Sequence, residues 1–181
     1  MTDVDPDETL SRLAMLCSPP PRPALAGATE SKFGAVPVPT SHVRLIATYG
    51  TGCFDEFLWV FAAGAPNAHL DIVERTRLMR AAFRGKVLHD LNHVPDDCRT
   101  VPDELVQWGG TDNADILAWI PKGEPDDWPT VIIQAGQLKA VFSSGSSTAT
   151  VLGLLDGSLR VPFFPSDFPD IRPEFSANPY A

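Results

Sequence analysis

The sequence predicts a single α+β domain in which a mostly antiparallel sheet packs with helices. Three observations lead to that class. Apolar residues recur at helical spacing in the first half of the chain and again near its end, at "SGSSTATVLGLLDG". From Glu104 onward the period shortens to two, with small turn-forming residues between the apolar runs. Those runs follow one another without intervening helices, so they join as antiparallel neighbours and not as βαβ units. With 181 residues, 44% hydrophobic and 20% charged, the chain is large enough to bury one core without disulfides or metal. Residues 1–22 are expected to form an N-terminal helix and a proline-rich segment, 23–175 the main domain, and 176–181 a tail.

Asp7 to Cys17 reads as a helix with Leu10, Leu13 and Ala14 on one stripe. "SPPPRP" stops it, because proline lacks an amide hydrogen and clashes with the preceding turn. "ALAGATESKFG" is expected to form a second short helix ending at Gly34. In "PVPTSHVRLIATYG", Thr40 or Ser41 suits the start cap, Val43, Ile46 and Ala47 make a stripe, and Gly50 suits the stop. "CFDEFLWVFA" reads as a strand with a bulge or a late start, since Phe54 and Phe57 do not share a strict face. "NAHLDIVERTRLMRAAFRG" is the longest helix, with Ile72, Thr76, Met79 and Phe83 at buried spacing and Gly85 at its end.

"LVQW", "DILAWI", "TVIIQAG" and "KAVFSS" then supply strands around two glycine-containing turns. Alternation in "DILAWI" puts Ile116, Ala118 and Ile120 on one face, and Leu117 and Trp119 on the other. In the closing helix Val151, Leu154 and Leu155 point inward and Gly157 ends it. "VPFFPSDFPDIRP" is an apolar, proline-broken tail. Trp108 and Trp119 are expected to be buried and to hold the sheet against the helices, as large aromatic side chains do.

Charge and cysteine content narrow the function. Residues 101–181 carry eleven acids against four bases, most of the chain's net charge of −9. Such a field repels nucleic acid, whose phosphates need clustered Lys and Arg, and attracts a basic protein. The three cysteines are scattered and form no C-x-x-C, which points to reduced thiols in a cytoplasm. The acidic start "MTDVDPDETLSRL" is unlike a signal peptide, and no run approaches the roughly 20 apolar residues of a membrane helix.

Motifs for chemistry are weak. "HDLNH", His89 to His93, has the i, i+4 histidines of a zinc helix, but Pro95 and two further acids follow and favour a loop. "YGTGCF" and "SSGSST" lack the Lys-Ser/Thr of a phosphate loop, and no G-x-S-x-G elbow is present. The stretch "WGGTDNADILAWIPKGEPDDWP" holds three of the four tryptophans and five acids. Its polar residues suit a turn and a solvated surface better than paired catalytic carboxylates, whose environments must differ. An acidic rim of Asp112, Asp115, Asp126 and Asp127 is therefore expected to face a partner, with Asp55 and Glu56 as a further candidate. No catalytic residue, metal or cofactor is expected.

The ordered series "YGTGCFDEFLWVF", "WGGTDNADILAWI", "DDWPTVII" and "VLGLLDGSLRVPFFPSDFP" resembles the SUKH superfamily in its Smi/Knr branch. Tyr49, Gly50, Gly52 and Phe54 match the first family motif. Trp108, Gly109, Thr111, Asn113, Asp115 and Trp119 match the second, and Leu152, Leu155, Gly157 and Pro162 to Pro165 the last. The chain departs from the pattern at Ala114, where the family usually has Gly, at Asp112, and at Val38-Pro39, where it usually has Leu-Pro. The resemblance implies a non-enzymatic α+β fold and a cytoplasmic immunity-type protein that neutralises a toxin, often a nuclease, by direct binding, and the acidic charge of residues 101–181 suits a basic one. The alternative it implies is a regulatory interaction module of the cell-wall-assembly-regulator type, without a toxin partner.

Overall fold

The computed structural model describes residues 6–24, 32–33, 36–86, 94–137 and 139–177. Helix α1 (Pro6–Leu16) ends before the proline run, as expected. Strands β1 (Lys32–Phe33) and β2 (Val36–Pro37) pair antiparallel. Lys32 and Phe33 are thus extended and not the end of a helix, and the rest of that expected helix lies largely outside the described residues. Helix α2 (Thr40–Tyr49) follows, then strands β3 (Gly52–Phe54) and β4 (Leu58–Val60), and helix α3 (Ile72–Phe83). Four strands come next, β5 (Val106–Thr111), β6 (Ile116–Trp119), β7 (Thr130–Ile133) and β8 (Ala140–Ser143). Helix α4 (Ser147–Asp156) and a short strand β9 (Phe175–Ala177) complete the order.

The seven strands β3 to β9 form one antiparallel sheet in the order β8-β7-β6-β5-β4-β3-β9. Six of them make a meander, each pairing with the next in sequence. The seventh returns from the C-terminal tail to pair with β3. The one strand expected for "CFDEFLWVFA", bulged or late-starting, is instead this β3–β4 hairpin, with Phe54 opposite Leu58, where β4 begins. The expected proline-broken tail likewise ends in a strand, and the boundary drawn at 176 falls inside β9.

Helices cover both faces of the sheet. Leu117, Trp119 and Ile132 join one core with Leu13 of α1, Leu45 of α2 and Leu154 of α4. Ala118, Val131 and Ile133 join a second core with Met79 and Phe83 of α3. The strict alternation read in "DILAWI" is therefore the division between two layers of packing. Thr76 on α3 fixes the second layer by a hydrogen bond, its Oγ1 accepting from Gln107 N at 3.0 Å beside the bulge in β5. Arg80 adds to this by donating to the Leu105 carbonyl at 3.0 and 3.1 Å.

The caps show where local sequence decides and where it does not. Asp71 caps α3 through Glu74 N, Ser146 caps α4 through Ala149 N, and Gly157 ends α4 with left-handed φ. These follow the usual chemistry of polar starts and glycine stops. Helix α2 is different. Its N-cap is Pro39, with no side-chain cap of its own. The Asp126 carboxylate reaches in from another part of the chain and accepts from Ser41 N at 3.3 Å. The buried residues of α2 are Ser41, His42, Leu45, Ile46 and Tyr49, so the stripe is displaced from Val43 and Ala47.

Two glycines of the first motif are required by close approach. A Cβ on Gly50 would lie 2.4 Å from the Ala24 carbonyl oxygen, and φ there is 77°. A Cβ on Gly52 would lie 2.4 Å from the Ser176 carbonyl oxygen, where β9 crosses.

Candidate functional site

Trp108 and Trp119 are fully buried and stack with ring centres 6.2 Å apart. Trp128 packs on Trp119 at 6.2 Å. The burial expected for Trp108 and Trp119 is thus observed, and Trp128 joins them at the centre of the fold. His42 of α2 enters edge-on, 5.7 Å from Trp108 and 4.9 Å from Trp119. Its Nε2 lies 2.7 Å from the Phe61 carbonyl oxygen and its Nδ1 3.0 Å from Ser147 Oγ. A carbonyl only accepts, so Nε2 carries the proton and Nδ1 accepts from the serine. Burial lowers the His42 pKa to about 4, which leaves a neutral imidazole at neutral pH. Sequence reasoning passed over this residue, although its spacing with Leu45, Ile46 and Tyr49 marks the buried side of a helix.

The turn joining β5 to β6 is internally bonded. Thr111 Oγ1 donates to Asp115 Oδ2 at 2.9 Å and accepts from Asp115 N at 3.1 Å. Asp115 Oδ1 accepts from Ala135 N at 2.9 Å, which ties this turn to the end of β7. Asp115 is only 3% exposed. The expectation that it belongs to an acidic rim is therefore corrected, because its oxygens are committed to a buried turn. Asn113 is exposed at the turn's outer edge. Ala114, at the position where the resemblance calls for Gly, has φ 65°, in the region that glycine adopts freely. Gly109 is also required, since a Cβ there would lie 2.8 Å from the Trp59 carbonyl oxygen.

Asp112 does lie at the surface, and its Oδ1 accepts from Trp59 Nε1 at 2.7 Å. Its backbone N donates to the Phe57 carbonyl at 3.0 Å. This bond brings the β5–β6 turn beside the β3–β4 turn. The latter is made by Asp55 and Glu56, whose φ values of 51° and 53° are both left-handed. Glu56 is exposed, whereas Asp55 is half-buried. The Asp55 carboxylate accepts from Glu174 N at 2.8 Å and Asp170 N at 3.0 Å, clamping the tail onto the hairpin. Phe57 packs against Phe164 and Phe168 of that tail at 5.1 and 4.8 Å. Phe54 packs with Tyr49 and Phe175 at 5.1 and 4.8 Å.

Asp126 and Asp127 sit elsewhere. Both are exposed in a 3-10 turn, Pro125–Asp127, between β6 and β7. Connections of an antiparallel meander alternate between the two ends of the sheet. The turn at Asp112 and the loop at Asp126 follow opposite ends of β6, so the four acids read as one rim are divided. At one end stand Glu56 and Asp112, with Asp167, Asp170 and Glu174 exposed on the tail clamped there. At the other stand Asp126, which caps α2, and Asp127.

Nucleophilic chemistry finds little support in the thiols. Burial pushes Cys17 up to about 11, and pushes Cys53 well above the ordinary thiol range, with Asp112, Glu56 and Asp55 adding to it. Both remain protonated near neutral pH, and the thiolate is the reactive form. Among the described residues no group of three or more His, Cys, Asp or Glu side chains could hold a metal ion. The "HDLNH" segment lies outside the described residues. Among those residues, no helix is long and apolar enough to cross a membrane.

No protein-family model, curated protein or solved structure matches the chain. What bears on function is then the chemistry of these surfaces.

Proposed function

We propose that this protein is a non-catalytic, cytoplasmic binding module that resembles the toxin-neutralising members of the SUKH superfamily, and that it engages a basic protein partner. The observation that carries this reading is the meeting of two acid-bearing turns at one end of the sheet. Glu56 and Asp112 are distant in sequence yet share that end with Asp167, Asp170 and Glu174. The same tail presents Ile171 fully to solvent. Ile171 stands between exposed Asp170 and Arg172, and an exposed apolar side chain among charged neighbours is the arrangement that protein interfaces use, apolar contact within a polar rim. The Ala114 turn and the close-packed Gly50, Gly52 and Gly109 support the resemblance, since each occupies a place where a motif glycine has a mechanical reason.

The test is co-expression with a secreted toxin encoded beside this gene, followed by association kinetics on the pair. Glu56→Gln with Asp167→Asn removes two surface charges with little change of shape. It is expected to slow association at low salt by roughly tenfold or less and to flatten the salt dependence, as loss of steering does. Asp127→Asn, at the far end, is expected to leave the rate unchanged. Slowing by Asp127→Asn alone would move the footprint to that end. Absence of both protection and complex would end the immunity reading.

A further inference from the structure

Beside the N-terminal half of α3 lies a cavity of about 450 Å³, lined by Trp59, Phe61, Leu70, Arg75 and Gly110, with Asn67, His69 and Thr111 completing it. That volume falls within the range of small-molecule sites, which combine apolar walls with a few polar groups. Three features set this cavity apart. Its walls are largely apolar, and its floor is open because Gly110 carries no side chain. A Cβ there would approach the Phe61 ring to 3.3 Å. The Trp59 ring is held in place by its Nε1–H bond to Asp112. Arg75, finally, is a cation without an anion.

The Arg75 guanidinium carbon sits 5.5 Å over the Phe61 ring. Its Nε is shut off from water and has no hydrogen-bond partner. Among the described residues no carboxylate pairs with it, whereas Arg77 on the same helix is paired with Glu74 at 2.6 Å. Burial disfavours the charged form of Arg75, and no neighbour offsets this. Partly buried charges are ordinarily paired, so an unpaired one at a cavity marks a place where an anion is missing. Stacking over an aromatic ring leaves the edge of a guanidinium free for the two-pronged bonding that a carboxylate accepts.

We propose that this cavity binds a small organic acid, a single carboxylate on a flat apolar body. Arg75 takes the carboxylate, and Trp59, Phe61 and Leu70 take the apolar part. One cation in a molecule of net charge −9 suits a monoanion and not a phosphate dianion. The site adjoins the acidic end, since Asp112 there holds Trp59, but its ligand and its key side chain, Arg75, are not those of the partner surface. Loss of one leaves the other standing.

The test uses the whole chain, labelled with ¹⁵N, and follows the Trp59 indole N–H resonance, assigned by its loss in Trp59→Phe. The probes are phenylacetate, its neutral isostere phenylacetamide, and an acetylated tripeptide ending in phenylalanine with a free carboxylate. Phenylacetate is expected to shift the resonance saturably in the millimolar range, with phenylacetamide at least about tenfold weaker, as loss of a charge-assisted bond implies. Arg75→Met keeps the length of the side chain, and is expected to abolish the preference for acid over amide while melting no lower than the parent. Should that variant fold poorly, Arg75→Lys keeps the charge and must retain the preference. Equal binding of acid and amide, an unchanged preference in Arg75→Met, a preference lost in Arg75→Lys, or no shift with phenylacetate would each overturn the proposal. Tighter binding of the tripeptide than of phenylacetate would overturn the free acid as ligand and give the site to a chain terminus.

Discussion

His42 is a neutral imidazole packed edge-on against two stacked indoles, and its position makes the fold sensitive to acid. In the unfolded chain its pKa returns to 6.5, against about 4 when buried. Above pH 6.5 both states hold it neutral and it has no effect on the balance. As pH falls from 6.5 towards 4 the unfolded state takes up a proton that the folded state refuses, so stability declines, and the decline ends below the folded pKa. The shift corresponds to about 3 kcal/mol at full extent. Urea midpoints measured between pH 4 and 7 should therefore fall more steeply for the parent than for His42→Gln. Parallel pH profiles for the two proteins would show that His42 does not carry this sensitivity. Its importance was readable only in part. Helical spacing places it inward, but the partners that hold it neutral, Phe61 and Ser147, come from elements far along the chain.

Local elements were legible where their side chains carry the structure. Helix α3 shows its buried face at Ile72, Thr76, Met79 and Phe83, and the strands β5 to β8 show their turns through small residues. The β3–β4 hairpin was not legible, because its turn uses Asp55 and Glu56 at left-handed φ, where glycine or asparagine would have announced it. Strand β9 was hidden by the prolines around it, and it exists because Asp55 grips the backbone just before it. The acidic candidates divided for the same reason. Sequence shows charge, but which carboxylates are committed inside, as Asp115 is, depends on bonds across the sheet. At the β5–β6 turn the strain has a direct test. Ala114 at φ 65° occupies a conformation costing about 1 kcal/mol for an L side chain. Replacing it with glycine should raise stability to chemical denaturation by about 0.5 kcal/mol, after the extra freedom of glycine in the unfolded chain is counted. A loss of stability would mean that the Ala114 methyl group contributes more than its strain removes.

For the whole molecule, the C-terminal tail completes the seven-stranded sheet. It is held by the Asp55 carboxylate, by the Phe57–Phe164–Phe168 contacts and by the pairing of β9 with β3. Asp55→Ala removes two bonds between a carboxylate and backbone N–H groups, which at this partly exposed site is expected to cost about 1–3 kcal/mol. The signature is local. Amide exchange at Glu174 and along β9 should quicken well before exchange in β6 and β7, because a segment can open without the rest. Uniform acceleration across the sheet would show that the tail and the core unfold as one unit. The tail also positions Asp167, Asp170 and Ile171, so the same change should weaken any partner that binds the acidic end.

Pairing the β3–β4 hairpin with a strand from far downstream also imposes a timetable. Residues Gly52–Phe54 leave the ribosome well before Phe175–Ala177 are made. At roughly 5–20 residues per second, β3 spends on the order of ten seconds with its outer row of amide and carbonyl groups bare. Throughout that interval the nascent chain offers a strand edge to any neighbouring polypeptide. Conditions that slow elongation late in the message lengthen that exposure without altering a single residue of the finished protein.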